Sequence, residues 1–427
     1  MSIAEATRDT GARRAELQQR FAEMRARSLT LAAPLSVEDQ TVQSMPDVSP
    51  TKWHLAHVTW FWETFVLGPN LCGYETCDAR FNYLFNSYYE QVGDRHPRPH
   101  RGLLTRPSLD EVRAYRAHVD DAMGRLFETL GEAAFAELAP LIDLGIAHEE
   151  QHQELLLMDI KHVLSCNPFH PAAYPAPERA AQGAGAQGWT AHEGGLLRFG
   201  WDGTEFCFDN EQPRHQAFLA PFALADRPAT NGEYADFIAD GGYRNAPLWL
   251  SDGWAWVREG GRTAPAYWTE RDGEWMRFTL HGLVPLDREA PVCHLSLYEA
   301  AAFAEWMGAR LPDEREWEHA AGGMDPDAGD FMQPGLSADP APTPGTGPRG
   351  FFGHVWEWTQ SAYSPYPGFR PAAGAVGEYN GKFMSGQNVL RGGACVTVRG
   401  HMRATYRNFF YPHQTWQFGG VRLAKDA

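Results

Sequence analysis

Up to about residue 166 the apolar positions recur with the period of a helix, and beyond residue 188 they do not. Residues 11 to 30 carry an amphipathic stripe with Leu17, Phe21, Met24 and Leu29 inward, followed by a turn-rich stretch around Pro34 and Pro46. Ser49-Pro50 predicts the start of a second helix, with Ser as N-cap and Pro in the first turn, running to about Leu67. Its stripes, 53/57/60/64 and 54/58/61/65, allow either His54 or His57 to face a bundle interior, and spacing does not choose between them. Ser108-Leu109-Asp110-Glu111 caps a third helix to about residue 130, and Pro140 to Leu164 reads as a fourth, buried one. Four such helices predict a bundle.

Residues 167–188 are rich in Pro, Ala, Gly and Gln, which predicts a linker. After it come short strand-like segments, with clear helices only near 230–240 and 297–308 and a long loop over 322–349. The expectation is a two-domain α+β chain: a bundle over residues 1–166, the linker, and a domain of short strands over 189–427.

Candidate chemistry sits on the fourth helix, in His148-Glu149-Glu150-Gln151-His152-Gln153-Glu154. Imidazoles four residues apart lie on one helical face and can reach one divalent metal. Gly145, one turn earlier, is expected to leave space beside that metal, and Leu155 and Asp159 continue the stripe. The plain alternative is a polar face with two solvated histidines. The run Leu155-Leu156-Leu157-Met158 opposes it, because imidazoles near an apolar core need partners. The irregular stretch 78–107 adds the phenols Tyr88 and Tyr89, suited to proton delivery, and Arg95 and Arg98, suited to gripping a carboxylate.

Composition narrows the field. A formal charge of −17 argues against nucleic acid and anionic membranes as partners. The first thirty residues are too charged for a signal peptide, and no apolar run approaches the ~20 residues of a membrane span. Six cysteines without metal or disulfide spacing fit a reducing compartment, so the expected location is cytoplasmic.

Several motifs carry a family resemblance. Asp226-Arg227-Pro228-Ala229-Thr230-Asn231-Gly232-Glu233-Tyr234, Arg310-Leu311-Pro312 with Glu316-Trp317-Glu318, Gly353-His354-Val355-Trp356-Glu357-Trp358 and Arg391-Gly392-Gly393 resemble the formylglycine-generating-enzyme domain, which has a C-type-lectin-like fold. Ser49 through His57 with the H-x3-H-x-E run resembles a DinB-type four-helix bundle. In this order the two resemble the EgtB family, iron-dependent sulfoxide synthases of ergothioneine biosynthesis.

The resemblance implies an iron(II) site on His57, His148 and His152, with O2 as co-substrate. It selects His57 over His54 and implies that Gln151 binds the substrate imidazole. It also implies a catalytic tyrosine at Tyr88 or Tyr89, donor-carboxylate arginines at Arg95 and Arg98, and a hercynine-binding tail including Asn408, Phe410, Trp416 and Gln417. Hercynine is trimethylated histidine, and an aromatic face suits its quaternary ammonium. His354, the Met384-Ser385-Gly386-Gln387 stretch and Leu297 depart from the family pattern. If they line the donor pocket, it is wider than one fitted to cysteine and suits the selenosugar donor of the selenoneine synthase branch. Only Cys395 stands in the region of the copper-binding cysteine pair, which argues against formylglycine generation. No methyltransferase segment follows, so hercynine is expected from a separate enzyme. Two other classes stay open: a zinc-dependent DinB-type thiol transferase or hydrolase, and a non-catalytic lectin-like binding protein.

Overall fold

The computed structural model describes residues 3–176, 182–332 and 339–427. They form two compact units, Met1–Cys166 with Ala372–Tyr379, and Asn167–Pro371 with Asn380–Ala427.

The first unit is built on α1 (Ile3–Ala32), α2 (Thr51–Phe61), α3 (Leu109–Thr129) and α4 (Glu132–Ser165). α1 packs along α4, and α2 packs on both α3 and α4. Leu17, Phe21 and Met24 are buried as the stripe predicts, but Leu29 is 40% exposed. Arg25 and Ser28 take the inward positions of that turn, because both bond to the buried Glu149 of α4. The Glu149 carboxylate accepts from Ser28 Oγ at 2.7 Å, Arg25 at 3.0 Å, Arg116 at 3.1 Å and the Trp62 indole at 3.1 Å. A buried charge is tolerated only when bonded in this way, and these partners tie α1, α3 and the chain after α2 to the middle of α4.

Three boundaries differ from the sequence expectation. Ser49 does not cap α2: Pro50 is the N-cap, the Ser49 N–H donates to Asp159 Oδ2 (2.7 Å), and Ser49 Oγ accepts from Arg101. α4 starts eight residues before Pro140 and continues through it. After Phe61 the chain becomes π-helical over Trp62–Leu67, a wide turn frequent at functional sites. Trp62 then lies flat on Gly145, where an added Cβ would stand 2.6 Å from the indole. The space left by Gly145 is therefore filled by Trp62 and is not open beside a metal.

In the second unit, Trp189–His192, Phe222–Ala225 and Ala424–Asp426 form one antiparallel sheet, so the chain's last strand pairs near its first. Asn408–Phe410, Asn388–Arg391, Trp356–Ala362 and Gly419–Gly420 form a second sheet, in that order. The core holds Trp317, Trp356 and Trp358 around the fully buried Glu357–Arg422 ion pair (2.8 Å). Gly392 of the Arg391-Gly392-Gly393 motif has φ +98, and a Cβ there would meet the Phe351 carbonyl at 2.3 Å, so no other residue fits.

Helices Asn231–Ala239 and Leu297–Trp306 match expectation, and Thr230 and Ser296 open them with capping boxes. Ser251–Gly260 and Glu314–Ala321 are two further helices beyond those expected. Within 167–188, the Ala173 and Tyr174 N–H groups donate to the Leu280 carbonyl, and residues 177–181 lie outside the described residues. The 322–349 stretch holds only the short 3-10 turn Pro326–Ala328 among its described residues, with 333–338 outside them.

Candidate metal centre

α2 and α4 bring His57, His148 and His152 together, with one candidate ligand nitrogen from each lying within 4.8 Å of the others. The turn-to-turn spacing on α4 supplies two imidazoles, and α2 crosses to supply the third. Desolvation lowers all three imidazole pKa values, His148 to about 4 and His57 and His152 well below the ordinary value. At neutral pH they are therefore uncharged, the form in which imidazole binds metals.

Hydrogen bonds fix which nitrogen faces the cluster. His57 Nδ1 donates to the Phe85 carbonyl (2.6 Å), which leaves Nε2 as a buried lone pair without a partner. Both ring nitrogens of His148 are buried and unpartnered, and its ring stacks on Phe61 at 4.5 Å. Buried polar atoms are rarely left so; a cation shared by the three rings would satisfy one nitrogen on each.

His54 is engaged elsewhere. Its Nε2 lies 3.0 Å from Asp159 Oδ2 and its Nδ1 2.9 Å from Nδ1 of His152. A carboxylate accepts, so His54 Nε2 carries the proton, its Nδ1 accepts from His152 Nδ1–H, and His152 Nε2 is the free lone pair. This carboxylate–imidazole chain orients a ligand from behind. Asp159 continues the histidine stripe in the sequence, but its role depends on His54, which is 105 residues away.

The 78–107 stretch is more ordered than expected, with a helical turn at Phe81–Phe85 and a 3-10 turn at Arg98–Leu103. Asn86 holds the tyrosine pair: its Nδ2 donates to the Tyr89 and Gly93 carbonyls, and its Oδ1 accepts from the Tyr89 N–H. Tyr88 donates to the Tyr89 hydroxyl at 3.2 Å. The Tyr89 ring packs on Trp60 and Phe65, and Trp60 in turn stacks on His57. Burial raises both phenol pKa values, so both carry their protons at neutral pH. Tyr379, from the 372–379 segment, stacks on Tyr88 at 5.3 Å, a contact no local sequence signal announces.

Arg95 and Arg98 are exposed; Arg95 pairs with Glu90 (2.5 Å) and Arg98 donates to the Asp47 carbonyl. The next arginine on that turn, Arg101, is buried and stacks 3.3 Å over Trp53, whose other stacking partner is His57 (4.7 Å). Gln151 lies half-buried on α4 beside His152. In the second unit Phe410 and Trp416 meet edge to face at 5.9 Å, and Asn408 is half-buried on its strand. Gln417 is fully buried, donating to the Leu295 and Gln414 carbonyls while its Oε1 has no partner.

A helical bundle with three inward imidazoles, followed by a domain of short sheets, defines a DinB–formylglycine-generating-enzyme class of chain. The DinB superfamily model matches residues 20–163, and the sulfatase-modifying factor enzyme 1-like domain matches 176–341 and 337–427. The hercynine oxygenase of Mycolicibacterium thermoresistibile is 33% identical over 97% of this chain and 95% of its own. That of Mycolicibacterium smegmatis is 32% identical over 90% and 92%, and that of Mycobacterium tuberculosis 31% over 96% and 99%. The chain belongs to the EgtB-type hercynine oxygenase family and is an enzyme of the oxidoreductase type. Among the described residues no helix is long and apolar enough to cross a membrane.

Proposed function

We propose that this chain is a non-haem iron(II), O2-dependent synthase that forms a carbon–sulfur or carbon–selenium bond at C2 of the hercynine imidazole. The observation that carries the proposal is the trio of converging, neutral imidazoles, in which His57 and His148 keep buried nitrogens without a hydrogen-bond partner. Kinship with proteins named hercynine oxygenases supports O2 chemistry and hercynine as substrate.

In this reading His57, His148 and His152 hold the iron, which when bound supplies O2 activation and a meeting point for the donor's thiolate or selenolate. His54 and Asp159 keep the His152 proton on Nδ1. Tyr88 and Tyr89 hold their protons through burial and would supply one beside the histidine site, favouring bond formation at C2 over donor oxidation. Gln151 orients the hercynine imidazole, and Arg95 and Arg98 take the donor carboxylate. The aromatic faces of Phe410 and Trp416 receive the trimethylammonium, with Asn408 and Gln417 as polar neighbours. Hercynine is supplied by a separate methyltransferase, and the reaction is cytoplasmic, in keeping with six free thiols.

The test is metal content after anaerobic purification, followed by hercynine-dependent O2 consumption with cysteine, γ-glutamylcysteine or a selenosugar. Iron with O2 uptake is expected, and the donor that couples uptake to product names the branch. Zinc without O2 uptake would establish the thiol transferase reading instead, and hercynine binding without turnover a binding protein.

A further inference from the structure

The aromatic rings beside His57 run in an unbroken succession from the histidine site to the surface. Trp60 stacks on the His57 imidazole at 5.6 Å, and Tyr89 lies 5.7 Å from Trp60. Tyr88 follows at 4.5 Å from Tyr89, and Tyr379 at 5.3 Å from Tyr88. Trp60 and Tyr89 are buried, whereas Tyr88 and Tyr379 are half-buried, so access to solvent grows along the line. All four belong to the first unit. Phenylalanine would fill the same core space, as Phe65 does between Trp60 and Tyr89, but indoles and phenols can also give up an electron.

Trp53 stacks on His57 more closely, at 4.7 Å, yet leads no further. Its other ring contacts among the described residues are His54 and His152, and the Arg101 guanidinium sits 3.3 Å over its face. That positive charge disfavours an oxidised, cationic indole. Trp60 instead donates its indole N–H to Asn82 Oδ1 at 3.0 Å, a contact that favours one.

We propose that Trp60, Tyr89, Tyr88 and Tyr379 form an electron-transfer chain that carries oxidising equivalents from the histidine site to a small thiol at the surface when oxidation proceeds without hercynine. This rests on the O2 chemistry proposed above. The oxidant takes one electron from Trp60, which recovers it from Tyr89, and the Tyr89 phenolic proton is taken up as the oxidant is reduced. Tyr88 O–H donates to the Tyr89 oxygen at 3.2 Å, so the electron and the proton that restore Tyr89 cross between the two hydroxyls together. Tyr379 gives the next electron across its stack on Tyr88, its own proton leaving to solvent as Tyr88 regains one. The thiol then restores Tyr379 with one electron and one proton, and two oxidised thiols join as a disulfide. No side chain is consumed.

The experiment adds hydrogen peroxide to the iron-loaded protein without hercynine, in the presence and absence of glutathione. Freeze-quench electron paramagnetic resonance reads tyrosyl radical, and peptide mass spectrometry reads oxygen added to Trp60 and to the three histidines. In the unsubstituted protein a tyrosyl radical should form, and glutathione should quench it and lower the added oxygen several-fold. Tyr379→Phe keeps the stacked ring without its phenol. It should remove most of the protection by glutathione and raise oxidation of Trp60 several-fold. Trp60→Phe should cut the chain at its start, lowering the tyrosyl signal and moving damage to the histidines; if it does not fold, Tyr379→Phe decides alone. Absence of tyrosyl radical, or an oxidation pattern unchanged in the folded variants, overturns the chain alone, since neither O2 nor hercynine enters the test. Protein that holds no iron at the histidines overturns the reaction reading and the chain with it.

Discussion

The Asp159 carboxylate lies 3.0 Å from Nε2 of His54, and both side chains are buried. Because His54 passes this contact on to His152, Asp159 sets the tautomer of a ligand it does not touch. Asp159→Asn and His54→Phe should each weaken metal affinity by about 10- to 100-fold. Competition against a calibrated chelator measures this directly, and equal affinity in both variants would remove the relay from the account.

Glu149 bears on stability. Burial alone would raise its pKa, yet Arg25 and Arg116 hold it at about 2. A depressed carboxylate stabilises the fold fully above its unfolded value of about 4.5, and the contribution disappears as pH falls from there toward 2. Glu149→Gln leaves Arg116 without its carboxylate and Arg25 with Asp120 alone, and should lower stability by about 3–5 kcal/mol at pH 7. Urea unfolding at pH 7 and at pH 3 checks this: the gap between parent and variant should shrink at the lower pH.

The imidazoles give a second pH window. His148 titrates near 4 in the fold against 6.5 in the unfolded chain, because burial disfavours its charged form. Stability is complete above 6.5 and declines as pH falls toward 4, by roughly 3 kcal/mol for this group. Thermal melts of chelator-treated protein between pH 7.5 and 4 should show the decline, and bound metal should raise the melting temperature most at the upper end, where the ligands are unprotonated.

Gly145→Ala drives a methyl into the Trp62 indole. Overpacking of this kind should cost about 1–3 kcal/mol. The variant's stability can be read by urea unfolding, and an unchanged midpoint would mean that the π-helical segment yields without penalty.

Tyr89→Phe removes one phenol while keeping the ring that packs on Trp60 and Phe65. On the proposed reaction, product should shift toward the oxidised donor, and Tyr88→Phe shows which of the two phenols is responsible. Product ratios by mass spectrometry decide it; an unaltered ratio in both variants would rule the pair out.

What was legible in the sequence follows from range. Helix period, capping boxes at Ser108 and Thr230, and the shared face of His148 and His152 are properties of neighbours three or four residues apart. The choice between His54 and His57 was not, because both face inward. It depends on a carbonyl at Phe85 and a carboxylate at Asp159, each distant in the chain. Leu29 was misread because Arg25 and Ser28 occupy inward positions that only Glu149, 121 residues from Ser28, makes tolerable.

One peptide link joins His148, whose ring faces the other two imidazoles, to Glu149, which fastens α1, α3 and Trp62 onto α4. Reactivity and architecture thus share a single turn of backbone and have no independent routes of drift. On the proposed metal site, a change at Arg25 or Arg116, remote from any substrate, would first surface as weakened metal binding, so inactive natural variants of this chain should be sought on α1 and α3 as readily as at the histidines themselves.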